Sequence, residues 1–320
     1  MAEPRDFLPD LYNARMPSHG STRGRTERRR TEQRNPASKN LDRMTAREIV
    51  RLMNWEDSKV ARAVGRESDA IARAVDTIVG AIRKGGRLIY VGAGSSGRMG
   101  VLDAAECPPT FGTSAKLVVA LIAGGRRAIT QAVEGAEDSE RNGARDLRAI
   151  RLTRKDVVVG IAASGTTPYV VGALRYARGI GAMTVAVTSN LRMPVGRVAK
   201  IVIAPEVGPE VLTGSTRLKA GTSQKMVLNM LSTAVMARLG HVYENLMIDM
   251  MLTNEKLAER AVRILREASG ASVSAAEQAL RAGRHDLRVA LVILKLRIGA
   301  VEAKRRLKAV GGDLRKAIGE

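Results

Sequence analysis

Between residues 85 and 205 the chain alternates short apolar runs with longer segments of helical period. The runs cover residues 87–91, 116–122, 157–162, 183–187 and 200–203. Each is nearly continuous in apolar side chains, as strands covered on both faces are. The stretches between and after them, such as 168–178 and 221–239, are long enough for crossover helices. Five strands alternating with helices predict an α/β fold, a parallel five-stranded sheet sandwiched by helices. In such sheets ligands sit beyond the carboxyl ends of the strands.

The flanks follow a helical period. Thr45 and Glu48 form a capping box that opens a helix through Ile49, Val50, Leu52 and Met53. A second helix is expected over 58–84, with Val60, Val64, Ile71, Val75, Ile78, Val79 and Ile82 on one face, and stops at Gly85-Gly86. After Leu252 the strands end. Residues 255–268, 274–282, 286–294 and 301–308 read as short helices punctuated by Gly270, Gly283 and Gly311-Gly312, with Ser274 and Glu277 as a second capping box. The expected organisation is a disordered basic tail over 1–30, N-terminal helices over 31–84, a sheet domain over 85–252 and a small C-terminal helical domain over 253–320. Met16 offers an alternative start within the tail.

Composition narrows the chemistry. At 320 residues the chain can bury a sizeable core, and with aromatics at 2% that core must be aliphatic. So few aromatics leave no base-stacking surface. The net charge of +21 attracts anions. It is spread along the chain, with eight Arg against five acidic residues in 1–34 and fifteen Lys and Arg against eight acidic residues in 255–320. A spread of this kind predicts a basic protein with no nucleic acid partner. One cysteine forms no intrachain disulfide, and His19, His241 and His285 are too scattered for a metal-ligand pattern. No apolar window has the length of a membrane span, and no signal peptide opens the chain, so a cytoplasmic protein without a membrane partner is expected.

The candidate chemistry lies at the strand ends. Gly92-x-Gly94-x-x-Gly97 follows the first strand and matches the dinucleotide fingerprint, but the second strand ends in Ala123-Gly124-Gly125 without the acid that would hold a ribose. The loop instead carries Ser95 and Ser96. Hydroxyls with free backbone N–H groups suit a phosphate monoester on a small molecule. The third strand repeats the theme with Ser164-Gly165-Thr166-Thr167-Pro168, and Thr213-Gly214-Ser215-Thr216-Arg217-Leu218-Lys219 precedes another helix. Any one of these could be an ordinary helix cap. Two carboxylates complete the set: Glu106, where a short helix expected over 98–105 ends beside Cys107-Pro108-Pro109, and Glu137 after the second strand. Either could serve in proton transfer or merely end a helix.

Six segments resemble the N-acetylmuramic acid 6-phosphate etherase family: GRLIYVGAGSSGRMGVLDAAECPPTFG, AVEGAEDS, VVVGIAASGTTPYV, TGSTRLKAGTSQK, NMLSTAVM and TEQRNPAS. The likeness runs from about Thr31 to the C-terminus. It implies the sugar isomerase (SIS) fold for 85–252, a homodimer with its active site near the subunit interface, a phosphosugar substrate, and no metal or organic cofactor. It further implies cleavage of the ether between D-lactate and C3 of N-acetylmuramic acid 6-phosphate, giving N-acetylglucosamine 6-phosphate in cell-wall sugar recycling. Glu106 matches the family's proton donor and Glu137 its second active-site glutamate; which one handles the C2 proton and which the leaving oxygen stays open. Ser95, Ser96, Ser164 and Thr166 are candidates for the phosphate, and Arg217 and Lys219 for the phosphate or the lactate carboxylate. The family often has Thr-Ser where this chain has Ser95-Ser96, which keeps a hydroxyl. A sugar-phosphate sensor like glucokinase regulatory protein and an aldose–ketose isomerase are the competing readings on the same fold.

Overall fold

The computed structural model describes residues 29–252 and 254–320, so nearly all of the expected basic tail lies outside the described residues. The five strands form one parallel sheet: β1 (Leu88–Gly92), β2 (Val118–Ile122), β3 (Val157–Ile161), β4 (Met183–Val187) and β5 (Ile201–Ile203), in the order β2-β1-β3-β4-β5. The order reverses between β1 and β3, which pair Gly92 against Ile161 at their carboxyl ends. A crevice opens at such a reversal. The strands are apolar on both sides because both faces are covered. Leu88, Tyr90, Val157 and Val159 join one cluster with α1 (Ala46–Gly65), α2 (Ser68–Arg83), α3 (Gly94–Phe111) and α8 (Lys219–Arg238). Ile89, Val91, Val158 and Ala186 join another with α5 (Glu140–Ala149), α6 (Pro168–Gly179) and α7 (Pro194–Val198). A four-residue helix, α4 (Arg127–Thr130), lies between β2 and α5.

Two helices differ from expectation. The Thr45–Glu48 capping box forms, but its helix runs unbroken through Trp55 to Gly65 instead of ending before residue 58. The polar stretch Asn54-Trp55-Glu56-Asp57 hides one inward residue, Glu56, which is 3% exposed. The break comes later, at Arg66-Glu67, where the Glu67 carboxylate accepts the N–H of Ala204. The helix expected over 98–105 instead begins at Gly94 and continues through Pro108 and Pro109 to Phe111. Proline inside a helix costs about 3 kcal/mol. Burial of Cys107 and Phe111 offsets that cost, and Gly112 ends the helix in the left-handed region at φ +62° with its N–H bonded to the Pro108 carbonyl.

Beyond the sheet, a two-stranded hairpin, β6 (Val242–Tyr243) and β7 (Leu246–Met247), leads to α9 (Glu255–Ser269), α10 (Val273–Ala282), α11 (Leu287–Leu296), α12 (Ala300–Ala309) and α13 (Leu314–Ile318). Their core takes in Tyr243, Ile248 and Met250, so the packed C-terminal unit begins at the hairpin, ahead of the expected boundary at 253. The cap of α10 is Ser272, which accepts the N–H of Ala275; the box expected from Ser274 and Glu277 does not form. Arg288 pairs with Asp249 inside the unit and ties it to the end of α8 through the Gly240 carbonyl.

Candidate functional site

Two helix N-termini meet at the crevice between β1 and β3. Neighbouring strands run about 4.8 Å apart, so the loops that follow them face one another. Most other long helices here have a side chain accepting their first free N–H, as Thr45, Ser139, Asn254, Ser272 and Asp286 do. The N-terminal residues of α3 and α6, Ala93 and Thr167, make no such bond. Unpaired amides aimed out of a helix start attract an anion. Ser95 and Ser96, half-buried in the first turn of α3, flank one set. Ser164 and Thr166 flank the other, their hydroxyls 3.1 Å apart, with the Thr166 N–H donating to Ser164 at 3.3 Å. The four phosphate candidates therefore share one crevice.

The glycines explain the approach. A Cβ on Gly92 would lie 2.7 Å from the Gly97 nitrogen, and one on Gly97 would lie 2.6 Å from Ile122 Cγ1, so strand and helix touch at this turn. Gly165 sits at φ +74°, where a Cβ would lie 2.5 Å from Met193 Cβ. We expect Gly165→Ala to cost about 1–3 kcal/mol of stability and, by displacing Ser164 and Thr166, to raise KM for a phosphosugar more than it lowers kcat. Thermal melts and steady-state kinetics check both.

The third polar cluster serves another purpose. The N-terminus of α8 is already occupied, because Glu210, fully buried, accepts the N–H groups of Lys219 and Ala220 at 3.0 Å each. Burial raises its carboxyl above the usual range against these bonds. Lys219 is 1% exposed, and its Nζ lies 2.5 Å from Glu56 Oε2. The expectation that Lys219 meets the substrate is thereby corrected: its charge is spent inside the fold, and a charge without a partner there would be costly. Arg217 is exposed, in a loop where Gly214 approaches Glu32.

Asn190, which nothing in its sequence context singled out, holds the crevice rim. Its Nδ2 donates to the Ala163 carbonyl at 2.9 Å and to Thr31 Oγ1 at 3.1 Å, and its Oδ1 accepts the Arg30 N–H at 2.8 Å. Arg30 also pairs with Glu206, and Asn35 Nδ2 donates to the Pro209 carbonyl. The segment from Arg29 to Ser38 is thus strapped across the carboxyl ends of β4 and β5, beside the Ser164 loop.

The two carboxylates lie on either side of β2, and their neighbours Ala105 and Ala136 line one cavity with that strand. Glu137 lies in a short 3-10 turn, Ala136–Asp138, directly before α5, and so at the carboxyl edge of the sheet. Desolvation pushes its carboxyl above the usual range although the residue keeps an open side, and the neighbouring Asp138 and Glu134 carboxylates push it further. Glu106 lies on α3, on the other face of the sheet. It is exposed and makes no hydrogen bond or ion pair among the described residues. One helix turn before it, Asp103 is buried and accepts bonds from Tyr90 at 2.8 Å, Asn229 at 2.7 Å and Ser232 at 3.0 Å, which locks α3 to β1 and α8. Cys107 beside it is buried and its thiol is pushed up to about 12, mainly by desolvation, which leaves it unreactive. Among the described residues no three His, Cys, Asp or Glu side chains converge as metal ligands, and no helix is long and apolar enough to cross a membrane.

Comparison with known proteins adds the following. Residues 70–178 match the family model described as the glucokinase regulatory protein N-terminal SIS domain, and residues 130–234 match the SIS domain. An N-acetylmuramic acid 6-phosphate etherase of Pectobacterium atrosepticum is 53% identical over 288 residues, covering 90% of this chain and 95% of that protein. One of Geobacillus thermodenitrificans is 54% identical over 288 residues, covering 90% and 98%. Among solved structures, phosphoheptose isomerase from Neisseria gonorrhoeae aligns with a TM-score of 0.48 at 17% identity, covering 60% of this chain and 100% of that one.

Proposed function

The chain belongs to the N-acetylmuramic acid 6-phosphate etherase family, and we propose that its lyase chemistry runs at the β1–β3 crevice with Glu106 and Glu137 as the proton-transfer groups. The protein cleaves the D-lactyl ether of N-acetylmuramic acid 6-phosphate to N-acetylglucosamine 6-phosphate and D-lactate, a step of cell-wall amino-sugar recycling. The observation that supports the site is the pair of uncapped helix starts lined by Ser95, Ser96, Ser164 and Thr166. They bind the 6-phosphate and fix the sugar's position, with Arg217 as a further charge partner. Lys219 and Glu210 hold the start of α8 in place.

An unactivated ether resists direct hydrolysis. With the sugar ring open, the C1 aldehyde acidifies the proton on C2. One glutamate removes that proton, the C3–O bond breaks, and the other glutamate protonates the departing lactate oxygen. Water then adds across the C2–C3 double bond, its oxygen going to C3 and a proton returning to C2. Each carboxyl gives and takes a proton once per turnover, so a raised pKa such as that of Glu137 keeps its two forms closer in energy near neutral pH. Asp138→Asn removes one of the charges that raise it. Whichever limb of the pH–rate profile Glu137 controls therefore moves to lower pH in that variant, a shift that kcat/KM measured across pH would show.

The working species is a homodimer in the cytoplasm, with no nucleic acid or membrane partner. Release of D-lactate from N-acetylmuramic acid 6-phosphate by the purified protein tests the function. In isotopically labelled water the product hydroxyl on C3 carries the label; an unlabelled product rules out elimination and addition. Binding without lactate release would mark a sugar-phosphate sensor instead.

A further inference from the structure

We propose that the C-terminal helical unit sets the position of Glu106, with Arg288 and Asp249 clamping the segment 249–251 against the last turn of α3. The effect on turnover rests on the lyase reading above; the clamp itself does not. The turn that carries Glu106 is the weakest part of its helix. Pro108 and Pro109 have no N–H, so the carbonyls of Ala104 and Ala105, just before Glu106, have no helical donor four residues on. Cys107 and Phe111 hold the inner side of the turn by burial. Its end is held by another part of the chain. The Met251 N–H donates to the Pro109 carbonyl at 3.2 Å, and the Asp249 carbonyl lies so close to Gly112 that a Cβ there would overlap it. Pro109 is one turn past Glu106, so a movement of 249–251 is passed straight to the turn that carries the carboxylate.

Residues 249–251 follow the β6–β7 hairpin and belong to no strand or helix. They have no backbone ladder of their own, so side chains set their place. Ile248 and Met250 enter the C-terminal core. The Asp249 carboxylate accepts from Arg288 Nε and Nη2 and pairs with His241 Nδ1 at 2.6 Å. Arg288 also donates to the Gly240 carbonyl at 2.8 Å and to the Gly312 carbonyl. One guanidinium thus joins the end of α8, the α12–α13 loop and the segment seated on α3. Desolvation alone would raise the Asp249 carboxyl, but His241 and Arg288 hold it below the usual range, so the pair with Arg288 stays charged at neutral pH. The chemistry proposed above uses none of these three side chains.

Arg288→Ala tests the clamp in two ways. Cys107, the one cysteine of the chain, is buried next to Glu106 and reports opening of the turn. Its labelling by a chromogenic aromatic disulfide is expected to speed up about tenfold in the folded variant, at a rate that low urea leaves unchanged, as local opening requires. An unchanged rate, or one that climbs with urea as global unfolding does, overturns the clamp. D-lactate release from N-acetylmuramic acid 6-phosphate reads the consequence. In the variant kcat is expected to fall about 10–100-fold, the cost of a misplaced group, with KM little changed, because the phosphate crevice is at the other end of α3. In a Glu106→Gln background the same substitution is expected to lower kcat no further. An equal loss in both backgrounds marks general destabilisation and overturns the positioning of Glu106. A wild-type chain that releases no D-lactate fails the lyase reading alone, and the labelling result stands. Arg288→Lys keeps the charge but not the two-bond fork on Asp249. It is expected to give intermediate values in both assays, and it takes the place of Arg288→Ala if that variant does not fold.

Discussion

Glu106→Gln is expected to lower kcat for D-lactate release by about 10²–10⁴-fold, the usual contribution of a positioned proton-transfer group, with no change in melting temperature. The expectation follows from its place on α3. The side chain is exposed and unpaired among the described residues, so an amide of the same shape breaks nothing in the fold. Asp103, one turn earlier, gives the contrast. It is 5% exposed and accepts from three donors, and desolvation raises its carboxyl although all three bonds favour the charged form. Asp103→Asn would turn an amide N–H toward one of those donors and lower the melting temperature. Loss of activity at unchanged stability for Glu106, set beside loss of stability for Asp103, separates chemistry from scaffold on one helix. Kinetics and melts of the two variants provide the measurement.

Lys219→Met is expected to destabilise the fold by about 3 kcal/mol, the lower end of the cost of orphaning one half of a buried ion pair. Glu56 would stay buried with only Lys59, at 2.8 Å and half in solvent, to balance it. Desolvation alone would raise the Glu56 carboxyl, but the bonds from Lys219, Lys59 and Asn35 outweigh it and hold it below the usual range. A lowered carboxyl stabilises the fold at pH above its unfolded value, and that share is lost as pH falls through the folded value. The deficit of the variant against wild type is therefore largest near neutral pH and shrinks in acid. Urea denaturation at several pH values checks this, and adding Glu56→Gln should restore part of the loss.

The sheet was legible because its strands are buried on both faces. A nearly continuous apolar run such as Met183-Thr184-Val185-Ala186-Val187 needs no partner residue to be recognised, and β4 has those bounds. The Ser95 and Ser164 loops were legible for a related reason, since small and hydroxylated residues directly after a strand have a local geometry. What was missed depends on distant residues. Glu56 looked like part of a polar break because its partner, Lys219, lies 163 positions away. Lys219 looked free for the same reason. Pro108-Pro109 read as a helix stop, since nothing local shows that Cys107 and Phe111 are buried tightly enough to carry the helix past them. Asn190 gave no signal at all, because its role is to bond Ala163 and Thr31, and neither is near it in the chain.

Those long-range ties set an order of assembly. The strap at Arg30 and Asn35 and the buried Glu56 bind residues 160, 174 and 163 positions downstream. At about 5–20 residues per second of synthesis, the first helices wait on the order of 10–30 seconds for the residues that receive them. During that interval the inward faces of α1 and α2 have no sheet to cover them, and Glu56 has no Lys219. The part of the chain made first is the part placed last, so slowed synthesis between residues 60 and 220 prolongs the state in which the nascent chain is most open to aggregation and to chaperones.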